Sequence, residues 1–182
     1  MSGQQVIVLL RAVNVGGTSR VPMADLRALL GERGYLDVKT YIQSGNIVAT
    51  APGARDDAAI AAEIEAAIAE RMGVTTRAIV RTREELEAAL AIYPYLDHHP
   101  KLAHILFFDR DPDPDGVAAL QERDFGEDEW TIAGRDLFVR YREGIHTSKL
   151  VNAAIERLLK VTSTGRNLTT VRNLIELSAG GG

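Results

Sequence analysis

Apolar positions along this chain recur with two different periods, and the alternation between them predicts the fold. Val6-Ile7-Val8-Leu9-Leu10 is a short, largely β-branched run, which predicts a buried first strand. A loop, Asn14-Val15-Gly16-Gly17-Thr18-Ser19, leads to Pro22, which fits a first helical turn because its missing N–H has no intrahelical partner there anyway. Met23, Leu26, Leu29 and Leu30 follow at helical spacing until Gly31 and Gly34 stop the run. Val38 to Gln43 and Ile47 to Thr50 predict two strands, joined by a hairpin at Ser44-Gly45-Asn46, where Gly and Asn tolerate positive φ. Ile60, Ile64, Ile68 and Met72 fall every fourth residue and predict a helix from Asp57 to Met72. Thr76 to Val80 predicts a fourth strand, and Thr82 with Glu85 a capping box that opens a helix through Leu90.

The second half repeats that order. Leu102 to Phe108 predicts a strand, Gly116 to Arg123 a helix, and Glu129 to Ile132 with Leu137 to Tyr141 a hairpin. A helix from Ser148 carries Leu150, Val151, Ala154, Ile155, Leu158 and Leu159 on its apolar face. Val161 to Ser163 predicts a short edge strand, and Thr169 to Leu177 a closing helix. The order β-α-β-β-α-β and then a helix therefore occurs twice. It predicts an α+β fold of two sequential ferredoxin-like subdomains related by an apparent duplication. The expected boundaries are 1–92 and 102–178, with a linker at 93–101 that contains Pro94 and Pro100, and a disordered tail at 179–182. Such a sheet covers only one face with its own helices, yet Val6, Val8 and Leu10 on one side and Ile7 and Leu9 on the other are all apolar. The open face of the first sheet is therefore expected to be covered, by the other half or by a second chain.

Composition narrows the function classes. The chain has 182 residues and no Cys, which excludes disulfides, thiolate metal sites and Cys nucleophiles. It shows neither a run of the ~20 apolar residues that a membrane span needs nor a signal-peptide pattern, so a cytoplasmic location away from membranes is expected. Charge is uneven: residues 1–50 carry 5 basic and 3 acidic side chains, 51–130 carry 8 and 18, and 131–182 carry 8 and 4. The acidic middle argues against coating of nucleic acid, and the basic ends leave room for a local anion site.

The residues resemble a known family. Leu10-Arg11-Ala12-Val13-Asn14-Val15-Gly16-Gly17, then Val21-Pro22-Met23 with Leu26-Arg27, then Thr40-Tyr41-Ile42-Gln43-Ser44-Gly45-Asn46 are similar to the opening of the bacterial family of domain of unknown function 1697 (DUF1697). Ser163-Thr164-Gly165-Arg166-Asn167 with Thr170-Val171 resembles its closing signature, although Leu168 stands where that pattern carries an aromatic, and Tyr93-Pro94-Tyr95 replaces a frequent Asn-Pro-Phe. The resemblance implies an α+β fold of two similar subdomains and implies no activity.

The topology itself proposes a site. In a split βαβ sheet, the loop that leaves the first strand lies at the same end as the hairpin between the second and third. Arg11, Asn14, Gly16, Gly17 and Thr18 are thus expected beside Gln43, Ser44, Gly45 and Asn46, next to a helix start. Exposed N–H groups and a helix N-terminus suit phosphate or carboxylate. Thr164 to Asn167 is read as a second loop before a helix, with Asn167 or Thr169 as cap and Arg166 as a further anion ligand, ordered and partly buried. The best reading is a binding protein for a small anionic or phosphorylated ligand, and the alternative is an enzyme in which an arginine stabilises negative charge at the same pocket. An RNA-binding or protein-interaction module ranks third, because Asn46-Ile47-Val48-Ala49-Thr50 has no aromatic for base stacking. No cofactor and no metal are expected. His98 and His99 are adjacent and belong to the linker, the Asp109 to Asp115 run lacks the central glycine of a calcium loop, and Tyr141 and His146 are read as core and turn residues.

Overall fold

The computed structural model describes residues 3–95 and 99–180. The first set of elements is β1 (Gln4–Leu10), α1 (Met23–Glu32), β2 (Leu36–Tyr41), β3 (Asn46–Ala51), α2 (Asp57–Met72), β4 (Ala78–Arg81) and α3 (Arg83–Ala91). The second is β5 (Ala103–Phe108), α4 (Pro114–Gln121), β6 (Glu129–Ala133), β7 (Asp136–Arg140), α5 (Asn152–Leu159), β8 (Ser163–Asn167) and α6 (Leu168–Ala179). Each set builds one four-stranded sheet, ordered β2-β3-β1-β4 and β6-β7-β5-β8, with antiparallel neighbours throughout. This is the ferredoxin-like arrangement, present twice. Two compact units result: residues 1–87 with 172–182, and residues 88–171, so the divisions fall inside α3 and α6.

Alternation along β1 sets the first core. Val6, Val8 and Leu10 pack with Leu26, Leu29 and Leu30 of α1 and Ile60, Ile64 and Ile68 of α2. Ile7 and Leu9, on the opposite face, are equally buried within the single chain. Burying such a side chain fully contributes about 1.5–3 kcal/mol, so a strand apolar on both faces is held strongly on both. In the second unit Leu106 and Phe108 play the same part against Leu120, Ile155 and Leu159. There α4 and α5 cross so closely that a Cβ on Gly116 would lie 1.9 Å from the Leu158 carbonyl oxygen.

Local chemistry fixes the ends of the elements. Asp56 caps α2 by accepting from the Ala59 N–H at 2.7 Å, and Gly73 closes that helix in the left-handed region at φ 66°. The capping box of α3 forms in both directions: the Thr82 N–H donates to Glu85 Oε2 at 2.8 Å, and the Glu85 N–H to Thr82 Oγ1 at 3.2 Å.

One element corrects the sequence reading. Thr164-Gly165-Arg166-Asn167 is not a loop; with Ser163 it forms edge strand β8, paired residue by residue with β5 from Phe108↔Ser163 to His104↔Asn167. The ladder needs only backbone N–H and C=O groups, so a segment with no apolar alternation can still be a strand. A matched register emerges from this pairing. Arg81 stands opposite Ile7 in the first unit and Arg166 opposite Ile105 in the second, and both arginines are buried. The tail reading applies only in part to the described residues: Ala179 ends α6, and Gly181 and Gly182 lie outside them, as does His98. Among the described residues no helix is long and apolar enough to cross a membrane.

Candidate functional site

The two loops expected to meet in the first unit do meet. Asn14 is the fastening. Its Oδ1 accepts from the Val21 N–H at 2.8 Å, and its Nδ2 donates to the Val21 carbonyl at 2.9 Å and to the Gln43 carbonyl at 2.7 Å. The Asn14 N–H also donates to the Ser19 carbonyl at 2.7 Å, which pinches the loop shut and leaves Val15, Gly16, Gly17 and Thr18 exposed at its tip. From the hairpin side, the Gly45 carbonyl accepts the Leu10 N–H at 2.8 Å. Only glycine fits at Gly45, where φ is 78° and a Cβ would come within 2.6 Å of Val13 and 2.7 Å of Leu10.

Several of the expected ligand residues are occupied in building this frame. Asn46 is fully buried, and its Nδ2 donates to the Tyr41 carbonyl at 3.0 Å and to Ser44 Oγ at 2.9 Å, which closes the hairpin. Gln43 offers its carbonyl to Asn14 while its residue stays exposed. Arg11 is half-buried; its N–H donates to the Arg77 carbonyl at 2.8 Å and its own carbonyl accepts from Thr76 Oγ1 at 2.8 Å. Gly16 and Gly17, at φ 66° and 77°, face open space.

Backbone strain is concentrated here. Ala12 at φ 54°, Asn14 at 56° and Ile42 at 49° are left-handed without being glycine, and for a β-branched isoleucine that conformation is a marked outlier. Such strain costs on the order of 1–3 kcal/mol per residue and tends to collect where a fold does something besides stand up. Beside these loops α1 begins at Pro22, which supplies no side-chain cap, so the orphan N–H groups of the first turn have no such acceptor.

Arg166 and Asn167 belong to the second unit. Asn167 Oδ1 accepts the Thr170 N–H at 2.8 Å and so caps α6, as the sequence suggested. Arg166 is 8 % exposed and donates to Thr164 Oγ1 at 2.8 Å and to the Gly165 carbonyl at 2.9 Å; burial pulls its guanidinium down to about 10. Tyr141 is fully buried and meets His104 edge-on, with ring centroids 5.3 Å apart. Burial lowers His104 to about 4, so the ring is neutral at pH 7. His99 and His146 are exposed, Asp113 caps α4, and no metal-holding cluster occurs among the described residues. Sequence reasoning missed one feature, a cavity between the turn at 125–128 and the loop at 142–149 of the second unit. Its lining residues come from two irregular segments with no periodic pattern, so nothing in the sequence announced it.

With two βαββαβ sheets in one chain, this is a duplicated ferredoxin-like α+β protein. The chain belongs to the family described as protein of unknown function (DUF1697), whose match runs over residues 4–138. The solved structure of conserved bacterial protein SP0830 from Streptococcus pneumoniae is similar to it at 25% identity and a TM-score of 0.71, over 96% of this chain and 98% of that one. No curated protein matches the chain.

Proposed function

We propose that the loop pair at the end of the first sheet binds a small anionic or phosphorylated ligand. The observation that supports this most is the exposed, left-handed Gly16-Gly17 tip beside a helix start that has no side-chain cap. Backbone N–H groups in such turns form anion-binding concavities, and a helix N-terminus adds a partial positive charge of roughly half a unit. Arg11 and Arg20 add basic charge to the same loop. Asn14 holds that loop against the hairpin before any ligand arrives, so little ordering remains to be done on binding.

An enzyme at the same loop would have to draw its base from a side chain of this unit other than histidine. All four histidines of the chain fall at position 98 or later, so residues 1–87 and 172–182 supply no imidazole base beside the loop. The test is an amide-resolved NMR titration with inorganic phosphate and simple phosphate monoesters. Saturable shifts are expected at Gly16, Gly17 and Thr18, and Arg11→Ala should weaken them about tenfold, the worth of one charge-assisted contact. Unmoved amides at those three residues would overturn the reading.

A further inference from the structure

From the cavity of the second unit we infer a separate site for a small amino-acid-like zwitterion, with Glu143 receiving its ammonium group and Lys149 its carboxylate. The cavity holds about 180 Å³, below the ~300 Å³ at which pockets for drug-sized ligands begin, so its occupant has few heavy atoms. Its frame is hydrogen-bonded across the two segments that form it. Asp128 Oδ1 accepts the Arg142 N–H at 2.7 Å, Asp128 Oδ2 accepts Ser148 Oγ–H at 2.6 Å, and Ser148 Oγ in turn accepts the Leu150 N–H at 2.9 Å. Thr147 turns back on the Gly144 carbonyl through both its N–H and its hydroxyl. The walls are therefore set without a ligand.

The charges around the cavity divide into two sets. Arg142 is paired with Glu127 at 3.2 Å, and Asp128 is engaged with backbone and hydroxyl donors. Glu143 and Lys149 line the same space with opposite signs, and among the described residues neither makes an ion pair. An occupant with one charge satisfies one of them and meets the other as a repeller or a bystander; an occupant with both satisfies both. Phe125, held edge-on against Trp130 at 6.0 Å, gives one apolar wall for the carbon skeleton.

The experiment is an NMR titration of the full chain with glycine, β-alanine and γ-aminobutyrate, which space the two charges differently, against propionate and propylamine, which carry one each. Saturable shifts at 142–149 are expected with at least one zwitterion, in the millimolar range because both charges are solvated. The zwitterion that binds tightest reports the span from Glu143 to Lys149. Glu143→Gln and Lys149→Gln should each weaken it at least fivefold, with far-UV circular dichroism unchanged because both residues are exposed. Saturation by none of the three, an equal response to a singly charged analogue, or indifference to both substitutions would overturn the site. Phosphate shifts at Gly16 and Gly17 read the other unit and serve as an independent control.

Discussion

The two units share a strand order and differ in what joins the strands. Residues 11–22 connect β1 to α1, whereas residues 109–113 connect β5 to α4. The longer connection rises to an exposed glycine tip and enters a helix with no side-chain cap; the shorter one ends on Asp113, whose carboxylate accepts the Gly116 N–H at 3.1 Å. Asp109 ties the short loop down further, through its N–H to the Thr162 carbonyl at 3.0 Å and its Oδ1 to the Thr162 N–H at 2.8 Å. The hairpins differ in the same sense. Residues 42–45 link β2 to β3 with Ile42 and Gly45 left-handed, while Gly134-Arg135 alone links β6 to β7. At this end of the sheet one copy of the fold keeps its two connections short and tied down, and the other carries strain and open donors. The scaffold is common, and the difference lies in the loops, where function is usually carried.

The comparison can be broken most sharply at glycine. If the second unit uses Gly116 for packing, Gly116→Ala must push α4 and α5 apart against a backbone carbonyl, and a loss of about 3 kcal/mol is expected by urea denaturation. Gly16→Ala meets no neighbour, and its cost should be only the left-handed penalty of about 1 kcal/mol. Equal losses at the two positions would erase the distinction drawn between them.

A second difference is acid sensitivity. His104 is held neutral by burial with a pKa of about 4, against about 6.5 in an unfolded chain. Between those values the unfolded state binds the extra proton, so stability falls as pH drops through that window. About 2 kcal/mol should be lost between pH 7 and pH 5. His104→Phe should remove this slope, measured as the change in denaturation midpoint with pH. With no histidine in the first unit, a slope that survives the substitution would have to come from carboxylates or from another histidine.

The smallest effect concerns the fastening of the loop. Asn14→Ala deletes three side-chain hydrogen bonds and places alanine at φ 56°, for an expected loss of about 1–2 kcal/mol. Amide exchange should quicken at Val21 and in the hairpin while residues 109–113 stay unchanged. Equal quickening in both connections would mean that Asn14 supports the whole chain rather than one loop.

How much of this could be read beforehand depends on what each segment has for a signal. α2 announced its whole length through Ile60, Ile64, Ile68 and Met72, and the α3 box through Thr82 and Glu85, because periodicity and caps are local. The meeting of Asn14 with Gln43 was legible one step removed, since the strand order alone carries both loops to one end. For β8 an edge strand was legible but not its extent: it was expected at Val161 to Ser163 and runs from Ser163 to Asn167, because its residues are polar and its pairing with β5 is a long-range backbone matter. The start of β2 was also missed: it begins at Leu36, where Asp37 is left-handed and the pairing register with β3 shifts, so no clean alternation appears until Val38. Arg166 was expected to be ordered and is buried, but as a strand residue.

The first unit is assembled from two stretches of sequence separated by the whole of the second, and this has a consequence for how the protein is made. Arg172–Gly182 belongs with residues 1–87, and Lys39 Nζ donates to the Gly180 carbonyl at 3.3 Å. A ribosome adding roughly 5–20 residues per second finishes β4 many seconds before it reaches the end of α6. Throughout that interval the opening strands exist without their final helical segment, while everything needed for the later unit is already out by Val171. Order of synthesis and order of completion are therefore reversed. The half translated first is the half finished last, and a chain released before Arg172 carries its damage at the far end of the sequence from the stop.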